Sequence, residues 1–72
     1  MINYKHLNYF VSIVRWGGVS RAAEQLHLTP QTLSGQIAQF EERLGVTLFQ
    51  RVGRRLELTE TGKLALSYAE EI

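Results

Sequence analysis

Residues 19–45 read VSRAAEQLHLTPQTLSGQIAQFEERLG, and the repeat of their apolar positions decides the fold. Val19, Ala22, Ala23 and Leu26 recur at helical spacing, with Ser20 as the candidate N-cap. The two adjacent alanines let another helix cross closely. A turn is expected at His27-Leu28-Thr29. Thr29 then offers a hydroxyl N-cap, and Pro30 takes the first helical position, where its missing N–H would have had no partner anyway. Leu33, Ile37, Phe40 and Leu44 form the apolar stripe of a longer helix. That helix stops at Gly45, with Arg43 in the last turn where a cation suits the helix dipole.

Upstream, Leu7, Phe10, Val11 and Val14 mark one face of a first helix, capped by Asn3 and ended by Gly17-Gly18. Downstream the period changes. Leu48-Phe49-Gln50-Arg51 and Leu56-Glu57-Leu58 are strand-like pieces around Val52-Gly53-Arg54-Arg55, a hairpin with glycine in its turn. Thr59 precedes a last helix from about Glu60, striped by Leu64, Ala65, Tyr68, Ala69 and Ile72. The stripe still runs where the sequence stops, and no C-cap has appeared. The expected fold is mainly α, a winged helix-turn-helix with a three-helix core, a two-stranded β wing and a C-terminal linker helix. Residues 1–58 are expected to form that domain, and 59–72 the start of a linker or dimerisation helix.

Composition fits one small globular domain. The chain has 72 residues, 44% apolar and 21% charged, with no cysteine to build a disulfide framework or a thiolate metal site. No apolar run approaches a membrane span, and the N-terminus does not read as a signal peptide, so a soluble, cytoplasmic protein is expected. The net charge of +1 hides an asymmetry. Residues 1–56 carry seven Lys and Arg against Glu24, Glu41 and Glu42, whereas residues 57–72 carry Lys63 against Glu57, Glu60, Glu70 and Glu71. Between Arg43 and Leu56 there are four arginines and no acid. Such a segment points to a localised polyanion contact, and a solvated loop is the competing reading.

A helix-turn-helix lays its second helix in the major groove of DNA while the first braces it. Opposite its apolar stripe, the third helix carries Gln31, Gly35, Ala38 and Glu42, with Thr32, Ser34 and Gln39 on the flanks. The N-terminal part of that face is small, hydroxylic or amide-bearing. Gln can bridge adenine N6 and N7, and Ser and Thr serve several bases or phosphates. The candidate base contacts are Gln31, Thr32 and Ser34. The candidate backbone contacts are Ser20, Thr29, Pro30 and Gln39, with Arg51, Arg54 and Arg55 of the wing on phosphates or in the minor groove. The competing reading for Arg51 or Arg55 is a simple ion pair with Glu57 on an exposed strand.

At this point a resemblance carries weight. Ala22-Ala23-x-x-Leu26-x-Leu28-Thr29, Leu33-Ser34-x-Gln36-Ile37 and Glu41-Glu42-x-Leu44-Gly45 resemble the LysR-type helix-turn-helix signature. Leu48-Phe49-x-Arg51-x-x-Arg54 and Leu58-Thr59-x-x-Gly62 agree with its wing. Thr29-Pro30-Gln31-Thr32 with Gly35-Gln36-Ile37 looks most like the sodium/proton-antiporter activator subgroup. The resemblance implies a transcriptional regulator that binds double-stranded DNA as a homodimer or tetramer through the last helix, with Leu64, Tyr68 and Ile72 as dimerisation candidates. Packing against the first helix is the alternative for Leu64 and Ala65. It also implies a small-molecule effector, bound by a C-terminal domain absent from this chain. Two positions depart from the family pattern. Most members have Gln then Pro where this chain has Pro30 then Gln31, and many carry Arg in place of Gly35. The arginine contact is gone, and Gly35 would instead let the backbone come close to the DNA.

Catalysis has little to stand on. The chain has neither Cys nor Asp, and His6 and His27 lack sequence partners for a general base or a metal site, so no cofactor or metal is expected. His27 reads as a structural or exposed turn residue and Trp16 as partly buried packing. The rival reading is a winged-helix protein-interaction module, which would more often present an aromatic or aliphatic patch on the third helix.

Overall fold

Asn3 starts the first helix: its side-chain oxygen accepts hydrogen bonds from the Lys5 N–H (2.9 Å) and the His6 N–H (3.4 Å). The computed structural model describes residues 3–71. Their order is α1 (Tyr4–Trp16), α2 (Val19–Leu26), α3 (Pro30–Leu44), β1 (Phe49–Val52), β2 (Arg55–Leu58) and α4 (Glu60–Glu71). One compact unit ends at Phe40 and a second begins at Glu41.

In the first unit, α1 ends at Gly17, whose φ of +81° suits glycine, and the N–H groups of Gly17 and Gly18 both donate to the Ile13 carbonyl. The buried face of α1 carries His6, Tyr9, Phe10, Ser12 and Ile13, while Leu7, Val11 and Val14 are only half-buried. The expected stripe of Leu7, Phe10, Val11 and Val14 is therefore displaced toward one edge. Two polar side chains, His6 and Ser12, take core positions that an apolar count passes over.

Helix α2 is capped by Gly18 rather than by Ser20, which lies exposed in the first turn. The reason is local: Gly18 sits at φ +155°, open to glycine, and its carbonyl accepts the Ala22 N–H. Ala22 and Ala23 are almost wholly buried, as close helix crossing requires. The turn rests on His27 at φ +60°, the non-glycine residue with positive φ among those described. Histidine tolerates this left-handed conformation better than most side chains. The Leu28 N–H closes the turn onto the Ala23 carbonyl.

Thr29 caps α3 as expected, its hydroxyl accepting the Thr32 N–H at 3.1 Å. Leu33, Ile37 and Phe40 are buried, and the Phe40 ring lies 5.6 Å from that of His6 and 6.5 Å from that of Phe10. Leu44, the fourth residue of the stripe, is instead 39% exposed.

In the second unit, Gly45 at φ +71° ends α3. The hairpin pairs Phe49 with Leu58, Gln50 with Glu57, Arg51 with Leu56, and Val52 with Arg55. Val52 and Arg55 thus belong to the strands, and the connection shrinks to Gly53-Arg54. Gly53 supplies φ +64° at the first loop position, as two-residue hairpins of the II′ kind demand. Leu48, expected to open the first strand, lies outside the ladder because its backbone groups are engaged elsewhere. Its N–H goes to the Glu41 carboxylate and its carbonyl to the Thr59 N–H. Thr59 caps α4 through its hydroxyl, 2.9 Å from the Gly62 N–H. Gly62 is buried, and a Cβ there would collide with the Leu48 carbonyl oxygen.

Candidate nucleic-acid interface

The side of α3 opposite Leu33, Ile37 and Phe40 is open. Gln31, Thr32, Ser34, Gly35, Ala38 and Gln39 are all exposed, and the helix carries no charge from Pro30 to Phe40. Helical periodicity places Gln31, Gly35 and Ala38 on one line, with Thr32, Ser34 and Gln39 beside it. The Thr29 hydroxyl also donates to Thr32 Oγ1 at 2.9 Å. Thr29 is thus largely occupied by the cap and by Thr32. Ser20 and Pro30 are exposed.

Gly35 stands out energetically. A Cβ built there meets no atom of the described residues within 4 Å, so nothing among them requires glycine. Mid-helix glycine costs about 1 kcal/mol relative to alanine.

Gln36, one residue on, is half-buried and turned inward, its Oε1 2.7 Å from His6 Nε2. His6 is 3% exposed, and its Nδ1 has no hydrogen-bond partner among the described residues. This pair ties α3 to α1. A histidine counted as polar on an amphipathic helix gave no sign of it; the signal lay in the His6-to-Phe10 spacing, which continues the buried face by one turn.

On the hairpin, strand alternation and register sort the arginines. Arg51 shares a face with Phe49, Leu56 and Leu58, while Arg55 shares the other with Gln50, Val52 and Glu57. Arg54 sits in the two-residue loop at the tip. The three are exposed, but the hairpin does not gather them on one side. Arg55 pairs with Glu57 at 3.1 Å, the ion pair that competes with a polyanion contact for this arginine. With the two side chains 80% and 41% exposed, the pair is weak and easily exchanged for another anion.

On α4, Gly62 is buried and Ala65, Leu66 and Ala69 are half-buried, so these line the packed side. Leu64 and Tyr68, one turn apart, are exposed. Intramolecular packing of Leu64 is not what the structure shows. Ile72 lies outside the described residues. Among the described residues no cluster of three or more His, Cys, Asp or Glu gathers, and no helix is long and apolar enough to cross a membrane.

Two helices joined by a tight turn, the second carrying an open uncharged face, followed by a β-hairpin and a further helix, define a winged helix-turn-helix domain. The model of the bacterial regulatory helix-turn-helix proteins of the LysR family matches residues 4–63, and the chain belongs to this family of transcriptional regulators. It is 52% identical over 71 residues to the transcriptional activator protein NhaR of Escherichia coli, covering 99% of this chain and 24% of that relative. The chain thus spans about a quarter of the length of that curated relative. Among solved structures, the BenM DNA-binding domain in complex with catB site 1 DNA superimposes with a TM-score of 0.89 at 35% identity, covering 96% of this chain and 74% of that one. Full-length CbnR in complex with its target DNA gives 0.86 at 32% identity, covering 96% and 24%.

Proposed function

We propose that this chain is the sequence-specific DNA-binding domain of a LysR-type transcriptional regulator, with α3 in the major groove and the hairpin as its wing. The observation that carries this reading is the exposed, charge-free face of α3. Gln31, Thr32 and Ser34 read base edges, and Gly35 admits close approach of the helix backbone. Ser20, Thr29, Pro30 and Gln39 contact the sugar–phosphate backbone, helped by the affinity of helix N-termini for phosphate. Arg51, Arg54 and Arg55 supply phosphate or minor-groove contacts from the wing.

Residues 1–58 act as the DNA-binding domain, and 59–72 begin a linker helix that joins subunits into a dimer or tetramer. The exposure of Leu64 and Tyr68 supports this role. In the whole protein a C-terminal domain binds a small-molecule effector, as the relatives' greater length allows. The protein works in the cytoplasm and is a regulator rather than an enzyme. A protein-interaction module is less well supported, because the open face of α3 carries no large apolar side chain.

The test is titration of the chain into labelled random duplex DNA, followed by fluorescence anisotropy at several salt concentrations, beside Arg54→Ala. Counterion release predicts a log–log slope of about −0.9 per phosphate neutralised, shallower by about one unit in the variant. A folded, dimeric sample that fails to bind at about 50 mM salt, where such contacts are strongest, would transfer the assignment to a protein-binding module.

A further inference from the structure

A carboxylate in the last turn of a helix sits at the unfavourable end of the dipole. Glu41 occupies such a position in α3, and the structure shows what offsets it. Its Oε2 accepts hydrogen bonds from the Leu48 N–H at 2.6 Å and the Phe49 N–H at 3.2 Å. Charge-assisted bonds of this kind are roughly twice as strong as neutral ones. The other side of the same segment is held independently. The Thr59 N–H donates to the Leu48 carbonyl at 3.0 Å, and the Thr59 hydroxyl to the Thr47 carbonyl at 2.6 Å. Gly62 packs against that Leu48 carbonyl with no room for a side chain. Residues 47–49, the root of the hairpin, are therefore gripped from both sides, and Glu41 supplies the charged half of the grip.

We propose that Glu41 is a positioning residue for the wing: its carboxylate fixes the direction in which the hairpin leaves α3, and so where Arg54 stands. Four strand residues at about 3.3 Å each put the tip about 13 Å from the root. A rotation of about 10° at the root then moves Arg54 by about 2 Å, enough to break a phosphate contact whose donor–acceptor distance tolerates a few tenths of an ångström. The sequence motif Glu41-Glu42-x-Leu44-Gly45 contains this residue without revealing its partners, because they are backbone groups seven and eight positions away.

The proposal rests on the DNA-binding reading and is tested by a double-mutant cycle between Glu41→Gln and Arg54→Ala on random duplex. In the parent chain Arg54→Ala should flatten the salt slope by about one unit. In the Glu41→Gln background, shown folded by circular dichroism, it should flatten the slope by less than about a third of that. An undiminished effect of Arg54→Ala would overturn the proposal, since a purely stabilising role for Glu41 leaves the wing contact intact. Should Glu41→Gln fail to fold, Thr59→Val, which loosens the opposite side, replaces it in the cycle with the same expectation. Amide hydrogen exchange in the parent chain gives a readout free of DNA. The Leu48 and Phe49 amides should be protected relative to Thr47, and rapid exchange at both would refute the grip itself. Absence of salt-dependent binding by the parent chain would instead defeat the DNA-binding reading.

Discussion

Replacing Gly35 by alanine separates what the fold wants from what the partner wants. The added Cβ meets no atom within 4 Å, and Gly35 lacks the positive φ that would penalise a side chain. The substitution should therefore stabilise the free domain by about 1 kcal/mol, the difference in helix propensity. For a chain of this size that corresponds to a rise in Tm of about 4–8 °C. Binding should move the other way. If the α3 backbone comes close to a base edge at this point, a methyl group must push the helix outward from the groove. The assay uses duplexes enriched from a random library by the parent chain, compared with unselected duplex by anisotropy. Affinity for the enriched duplexes should fall about tenfold or more, equivalent to about 1.4 kcal/mol, with little change on unselected DNA. A variant that is more stable and binds enriched duplexes undiminished would refute the close approach. A variant whose Tm does not rise would refute the claim that glycine is a cost to the helix.

Three further outcomes follow from contacts already described. His27→Gly removes the left-handed strain at φ +60° and should stabilise the domain by about 1 kcal/mol, read by thermal or urea unfolding. Glu57→Ala should change stability by no more than about 0.5 kcal/mol, because its pair with Arg55 is solvent-exposed. The same variant should tighten binding to random duplex by freeing Arg55, so weaker binding would count against a DNA role for that arginine. Leu64→Glu combined with Tyr68→Glu should leave the circular dichroism spectrum unchanged, since both side chains are exposed, while sedimentation shows any dimer dissociating. Unfolding instead would show that the two residues belong to the core.

The order of elements was legible because it rests on local chemistry: Asn3 and Thr29 as side-chain caps, Pro30 at a helix start, Gly17, Gly45 and Gly53 where the backbone turns left-handed. The uncharged face of α3 was equally readable, since helical periodicity converts spacing directly into sides. What escaped were contacts fixed by tertiary packing. His6 and Ser12 fall outside the apolar stripe of the first helix, yet both are buried, and His6 meets Gln36 thirty positions away. Ser20 looked like the natural cap for α2, but a glycine two residues earlier begins the helix without any side-chain bond. Leu44 matched the apolar period and is nevertheless exposed, because the period specifies a direction around the helix and not whether anything covers it there. Of the dimerisation candidates, Leu64 and Tyr68 are exposed, which the spacing alone left open for Leu64, while Leu66 lies outside the expected stripe and is half-buried.

The opposed faces of Arg51 and Arg55 bear on how the wing tolerates changes of length. Side chains alternate along each strand, so inserting or deleting a single residue within either strand would exchange its two faces. Arg55 would then point with Leu56's present neighbours, and an apolar side chain would take its place beside Gln50 and Val52. Two-residue changes, or changes confined to the Gly53-Arg54 loop, preserve the sorting. Length variation in related wings should therefore cluster at the tip or come in pairs, and chimeras that swap wings between regulators should be joined with that parity kept.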